Sequence, residues 1–160
     1  MFYTQWNSPV GVLLLESDGS CLTGVKIGAV PRADAELRQE LAVFRQTSDW
    51  LDAYFAGTPI PASDLPLEAV GTPFQKMVWD YLLTVPWGKT YTYGEIAREI
   101  AARLGKQKMS AQAVGQAVGR NPIGIIIPCH RCVGAGGKLT GYAGGIEKKA
   151  WLLRHEEAEL

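Results

Sequence analysis

Apolar and polar positions alternate from Phe2 to Trp6, break at a turn over Asn7-Ser8-Pro9, and resume as a buried strand from Val10 to Glu16. Asp18-Gly19 marks a hairpin, and Cys21 to Ile27 reads as the next strand. Ala33 to Phe44 carries helix formers, with Leu37, Leu41 and Phe44 at helical spacing, so a helix is predicted there. Ser48 or Asp49 then caps a second helix through Phe55, which Gly57 closes. From Thr58 to Gly71 the periodicity lapses, and Pro59, Pro61 and Pro66 punctuate what reads as a linker or a strand followed by a linker. The pattern therefore predicts an α/β domain over residues 1–70 and a second domain over 71–160.

The second half is mostly helical. Thr72-Pro73 is a cap followed by proline, and Phe74, Met77, Val78, Tyr81 and Leu82 form an apolar stripe that ends before Pro86-Trp87-Gly88. Thr92 caps Tyr93 to Leu104, with Glu95 placed to complete a capping box. A basic loop at Gly105 to Lys108 leads to Ser110, which caps a short helix ending near Gly119. Three short helices with tight connections predict a helix-turn-helix arrangement. Ile125-Ile126-Ile127 reads as a buried extended run, Gly134 to Gly145 as a glycine-rich loop, and Ile146 to Glu156 as a final amphipathic helix. The fold class expected is α+β: a small N-terminal α/β domain without a catalytic signature, a structural support, followed by a helical, winged helix-turn-helix-like C-terminal domain.

Composition narrows the class. With 47% hydrophobic and 20% charged residues the chain is an ordinary globular protein. No apolar run approaches the roughly 20 residues that span a bilayer, and no basic-then-apolar leader opens the chain. A cytoplasmic monomer without a membrane partner is the expectation. The net charge of zero conceals an asymmetry. Met1 to Gly71 holds 4 Lys+Arg against 9 Asp+Glu, and the remainder holds 12 against 7. A basic C-terminal half suits a polyanionic partner, although a mixed solvated surface has the same count.

Cys21, Cys129 and Cys132 are odd in number, so at least one thiol is free. Cys129 follows an apolar run and Pro128, which present it at a fixed place, and His130 and Arg131 follow it. Cationic neighbours lower a cysteine's pKa, which makes Cys129 a candidate nucleophile, while a small buried hydrophobe without reactivity fits the same setting. Cys129-x-x-Cys132 also has the spacing of a redox pair or half a zinc site. A redox motif should open a helix, whereas Val133 to Gly137 is loop-like, and Cys21 and His155 are not at zinc-ligand spacing.

Pro128-Cys129-His130-Arg131, with Ile125 to Ile127 before it and Gly141-Tyr142-Ala143-Gly144-Gly145 after it, resembles the signature of the O6-alkylguanine-DNA alkyltransferases. The likeness continues through Phe74-Gln75-x-x-Val78-Trp79, Thr92 to Ala97, Ala113-Val114-Gly115 and Trp151-Leu152-Leu153-x-x-Glu156. It implies direct, stoichiometric transfer of an alkyl group from O6-alkylguanine in double-stranded DNA, with O4-alkylthymine as a further substrate, to Cys129. His130 would act as base through a water, Glu156 would orient it, Asn121 would hold the local turn, and Tyr93 would protonate the departing guanine. Val133, Tyr142, Ala143, Gly144 and Gly145 would line the base pocket, supported by Lys149. No cofactor and no metal is implied. Each residue also has a plainer reading: Glu156 as a helix-end carboxylate in the tail Glu156-Glu157-Ala158-Glu159, Tyr93 as a core ring, Asn121 as a turn residue before Pro122. A non-catalytic lesion binder of related sequence would lack the cysteine, and Cys129 is present.

The resemblance also implies contact through the minor groove while the damaged base is rotated out of the stack. Gln112, Ala113, Gly115 and Arg120 would meet DNA from the small-residue helix, with phosphate contacts from Arg103, Lys106 and Lys108. Two positions depart from the family pattern. Gln112 stands where an arginine is usual, which implies weaker extrusion or help from Arg120. Gly124 stands where a proline is usual, which implies a looser substrate fit.

Overall fold

In a computed structural model that describes residues 1–158, the opening alternation resolves into β1 (Phe2–Ser8), β2 (Gly11–Ser17) and β3 (Leu22–Ile27). Glu159, the end of the acidic tail, lies outside the described residues. The sheet order is β3-β2-β1-β4, where β4 (Glu36–Leu37) pairs parallel to β1 and the other neighbours are antiparallel. β2 is buried from Leu13 to Ser17 without alternation, as expected of a central strand covered on both faces. Glu16 is tolerated there because Lys26 on β3 reaches it at 2.9 Å.

The helix predicted over Ala33 to Phe44 is absent. Glu36 donates its N–H to Met1 and Arg38 donates to Tyr3, so the open edge of β1 takes this segment and leaves Leu37 exposed. α1 (Ala42–Phe55) begins later and runs unbroken, which places Ser48 and Asp49 inside it rather than at a cap. Ser48 has another use, accepting a hydrogen bond from Trp6 Nε1 at 3.1 Å. Val43, Phe44, Trp50, Leu51 and Tyr54 form the buried face of α1, each full burial being worth about 1.5–3 kcal/mol.

The first unit comprises Met1–Val70 together with Pro122–Ile126. Two segments share the outer edge of β3. Leu22 donates to Pro66 and accepts from Glu68; Val25 donates to Pro122 and accepts from Gly124. The expected extended run at Ile125 is instead a tight turn. Ile125 has φ +68°, and Ile126 donates back to Gly124 at 2.7 Å, the hydrogen bond of a γ-turn. A β-branched residue in this region is strained, and burial of Ile123, Ile125 and Ile126 offsets that strain.

The second unit comprises Gly71–Asn121 and the chain from Ile127 onward. α2 (Pro73–Leu82), α3 (Tyr93–Arg103) and α4 (Ala111–Gly119) pack on one another around Val78, Trp79, Leu82, Ile96, Ile100 and Val114, and α3 and α4 form the helix-turn-helix pair. Their starts follow from local chemistry. Thr72 with Gln75 and Thr92 with Glu95 each complete a capping box, and Ser110 Oγ accepts from the Ala113 N–H. Trp79 Nε1 donates to the Ala117 carbonyl at 2.8 Å and so locks α2 to α4. β5 (Tyr91–Thr92) and β6 (Cys132–Val133) form a short parallel pair, and α5 (Ile146–His155) ends the unit with Glu156 as its C-cap. No helix among the described residues is long and apolar enough to cross a membrane.

Candidate active site

Two backbone devices fix Cys129. Pro128 has φ −81° and ψ 65°, and Cys129 donates to the Ile127 carbonyl at 2.8 Å, which is an inverse γ-turn with its φ set by the proline ring. A single 3-10 turn over Cys129–Arg131 follows, so the sequence after the thiol is neither strand nor α-helix. Asn121 Nδ2 donates to the same Ile127 carbonyl at 2.9 Å, and its side chain also hydrogen-bonds the thiol. The expected turn residue thus sits against the Cys129 thiol itself.

His130 is fully buried, with Nε2 2.6 Å from Glu156 Oε2. The other carboxylate oxygen accepts from Arg131 Nε at 2.7 Å, and Arg131 also donates to the Val85 carbonyl at 2.6 Å. Burial works to raise the Glu156 carboxyl, but His130 and Arg131 outweigh it and hold it at about 2. An ionised carboxylate only accepts, so Nε2 carries the imidazole proton and Nδ1 is left with its lone pair. Nδ1 is buried and has no hydrogen-bond partner among the described residues. Burial depresses the His130 pKa, Glu156 opposes this, and Arg131 and Lys149 reinforce it, so the ring is a neutral base at neutral pH.

The expected lowering of the Cys129 pKa by its cationic neighbours is not what the structure gives. Part of the residue remains accessible, yet burial of the thiol dominates and raises its pKa, against the pull of Asn121, Lys149 and the N–H groups of Cys129 and His130. Arg131, read from sequence as part of that cationic neighbourhood, is committed to Glu156. The site therefore holds a protonated thiol beside a neutral base.

Tyr93, the first residue of α3, donates its hydroxyl to the Thr140 carbonyl at 3.4 Å. Burial raises the phenol, which keeps it protonated. Lys149 Nζ donates to the same carbonyl at 2.8 Å and lies 5.8 Å from the Tyr93 ring centroid. Lys149 is wholly buried, and that burial lowers its pKa against the opposing pull of Cys132 and Cys129. Thr140 was not singled out in the sequence; a backbone carbonyl carries no residue signature. Tyr142 is raised well above its ordinary pKa by burial first, then by Cys129 and Glu156, although the residue as a whole is only half-buried. Gly145 accepts the demands of the α5 N-cap with φ +103°, a conformation unfavourable for other residues, and its N–H donates to Tyr142. Val133 is buried in β6 opposite Thr92, Gly144 is half-buried and Ala143 is exposed.

On the helix-turn-helix face, Gln112 and Arg120 are exposed while Ala113 and Gly115 are half-buried. A groove of about 680 Å³ runs between the start of α2 and α4, lined in part by Gln75, Ala113, Gln116 and Arg120. Lys106 and Lys108 are exposed in the α3–α4 connection. Arg103 is differently placed: it lies 3.6 Å from Glu99 and 5.0 Å above the Tyr81 ring. Gly124 is held against β3. Its N–H donates to Val25 at 3.0 Å, a bond that proline cannot make, and a Cβ there would meet the Val25 oxygen at 3.1 Å. Among the described residues no cluster of side chains has the make-up of a metal site.

The chain thus combines a sheet unit, a helix-turn-helix unit and a cysteine followed by a buried His-Glu pair. Family models match at both ends: the 6-O-methylguanine DNA methyltransferase ribonuclease-like domain over residues 1–69 and the DNA binding domain of the same family over 73–158. The chain belongs to the 6-O-methylguanine DNA methyltransferase family. A methylated-DNA–protein-cysteine methyltransferase of Methanosarcina acetivorans is 46% identical over 98% of both chains. A Mycobacterium tuberculosis protein of the same description is 44% identical, over 98% of this chain and 92% of its own. The crystal structure of M. tuberculosis OGT in complex with DNA aligns with a TM-score of 0.86 at 44% identity, over 98% and 93% of the two chains.

Proposed function

We propose that this protein repairs DNA by moving the alkyl group of O6-alkylguanine onto Cys129 Sγ, once per chain. The observation that carries the reading is the neutral His130 ring, held by Glu156 at Nε2 and unpartnered at Nδ1, next to a thiol that stays protonated without help. A base is then required, and a positioned one contributes typically about 10²–10⁴-fold. A water between Cys129 and His130 Nδ1 relays the thiol proton as the S–C bond forms and the C–O bond breaks. Glu156 balances the imidazolium, and its second oxygen, held by Arg131, keeps the carboxylate from turning away.

The departing guanine takes the Tyr93 hydroxyl proton. Lys149 stands beside that ring and stabilises the phenolate. The resulting thioether has no leaving group that water displaces readily, so transfer consumes the protein. Residues 71–160 carry the acceptor and the DNA face, with Gln112, Ala113, Gly115 and Arg120 on α4 and Lys106 and Lys108 beside it. Residues 1–70 serve as support. The complex of the mycobacterial relative with DNA supports a duplex partner, and the free thiols suit a cytoplasmic location. Incubation with a duplex containing O6-methylguanine should add one methyl to Cys129, located by peptide mapping. A methyl on Cys21 or Cys132, or repeated turnover, would overturn the assignment.

A further inference from the structure

Cys132 has no part in the transfer chemistry above, yet the backbone brings it to the acceptor. Its N–H donates to the Cys129 carbonyl and closes the 3-10 turn. In that geometry residues three apart eclipse one another on one face, at a rise of about 2 Å per residue, which puts the two Cα atoms about 6 Å apart. Disulfides accept Cα separations of roughly 4.4–6.8 Å. The pair differs in access: Cys129 keeps partial exposure, while Cys132 is wholly buried in β6. Burial raises both thiols, and the Lys149 ammonium opposes it at each, so both sulfurs rest protonated. An oxidant therefore meets Cys129 first, and Cys132 follows one 3-10 turn later as a buried residue.

We propose that Cys132 is a resolving thiol, which converts an oxidised Cys129 into a reversible Cys129–Cys132 disulfide. The oxidant is hydrogen peroxide. Cys129 sulfur attacks one peroxide oxygen; the S–O bond forms, the O–O bond breaks, and the hydroxide released takes the thiol proton and leaves as water. Cys132 sulfur then attacks the sulfenic sulfur. The S–S bond forms, the S–O bond breaks, and the hydroxyl leaves as a second water with the Cys132 proton. Two electrons pass from the two thiols to the peroxide. The disulfide stops Cys129 short of the sulfinic acid, from which it does not return. A single-use acceptor is thereby stored in a form that a dithiol restores. This differs from a redox motif as the protein's function, since no substrate is oxidised.

The consequence for repair rests on Cys129 being the acceptor; the sulfur chemistry is read independently of it. The full-length protein is treated with hydrogen peroxide, blocked with iodoacetamide and mapped with trypsin. Cleavage after Arg131 separates the two cysteines, so the disulfide joins two peptides that dithiothreitol releases. We expect a loss of two hydrogens in intact mass, this cross-link, a single blockable thiol at Cys21, and full recovery of Cys129 on reduction. Cys132→Val should carry Cys129 on to sulfinic acid, unrecoverable by dithiothreitol. Sulfinic acid at Cys129 of the unaltered protein, or a disulfide to Cys21 or between chains, overturns the proposal, and neither readout depends on the variant folding. Methyl transfer to a cysteine other than Cys129, with the cross-link intact, would overturn the proposed function alone.

Discussion

Glu156 meets His130 at 2.6 Å from the C-terminal cap of α5, the helix end at which a carboxylate is least welcome. The helix places the charge there regardless, and His130 and Arg131 make the placement tenable. Removing the charge should have two readable effects. Glu156→Gln keeps the size of the side chain but leaves Arg131 without its counter-ion, for which we expect a loss of about 3 kcal/mol in urea unfolding. Transfer from O6-methylguanine should slow by about 10²-fold under single-turnover conditions, because the ring loses the partner that favours its cationic form.

Acid should destabilise the fold through the same pair. The Glu156 pKa falls from an ordinary 4.5 to about 2 in the fold. Its contribution is complete above the unfolded value and disappears as pH falls from 4.5 towards 2, on the order of 3 kcal/mol in all. His130, also depressed, adds to the loss as pH drops below its ordinary value of 6.5. Unfolding measured between pH 7 and pH 3 should show this slope, and Glu156→Gln should flatten it. An equal slope in both proteins would mean that other groups carry it.

Because burial holds the Cys129 thiol up, its reactivity should not come from standing thiolate. Thiolate absorbance from Cys129, taken as the difference between the protein and Cys129→Ser, should be absent at pH 7. Transfer to free O6-benzylguanine should nevertheless proceed there and fall only when His130 takes a proton, below pH 6.5. A thiolate signal at neutral pH would remove the need for the base.

Phosphate contacts should separate the basic residues. Lys108 is exposed beside α4, whereas Arg103 is occupied by Glu99 and the Tyr81 ring. Lys108→Ala should lower the salt slope of duplex binding by up to about one, and Arg103→Ala should change it less. The reverse order would place the DNA against the last turn of α3 rather than against the α3–α4 connection.

Gln112 projects from α4 into solvent without a positive charge. Unstacking a base costs a few kcal/mol, and a guanidinium fills the gap and holds the strand better than an amide. Gln112→Arg should therefore speed transfer from duplex O6-methylguanine and leave free O6-benzylguanine nearly unchanged. An equal change for both substrates would mean that the residue acts on the thiol's surroundings instead.

The helices of the second half were legible because their starts are written in a few adjacent residues: Thr72 with Gln75, Thr92 with Glu95, and Ser110. The segment Ala33 to Phe44 misled because Leu37 imitates a helical core position while the demand of β1 for an edge partner lies far off in the chain. At the site, the motif around Cys129 was legible, but its electrostatics were not. Arg131 beside the thiol suggested a lowered pKa, and only the fold reveals that Glu156, 25 residues on, claims its guanidinium. The meeting of Tyr93 and Lys149 at Thr140 was hidden for a different reason, since the shared group belongs to the backbone.

The hydrogen bonds between Val25 and the segment at Pro122 and Gly124 have a consequence for synthesis. Domains generally fold as they emerge, N-terminal first. Here the N-terminal sheet leaves the ribosome with the outer edge of β3 unfinished around Val25, and its partner follows only after α2, α3 and α4 have been made. An open strand edge invites pairing with other chains, so the nascent protein passes through an interval of exposure that ends when Gly124 arrives. The order of the gene thus delays completion of the first domain until most of the second has been translated.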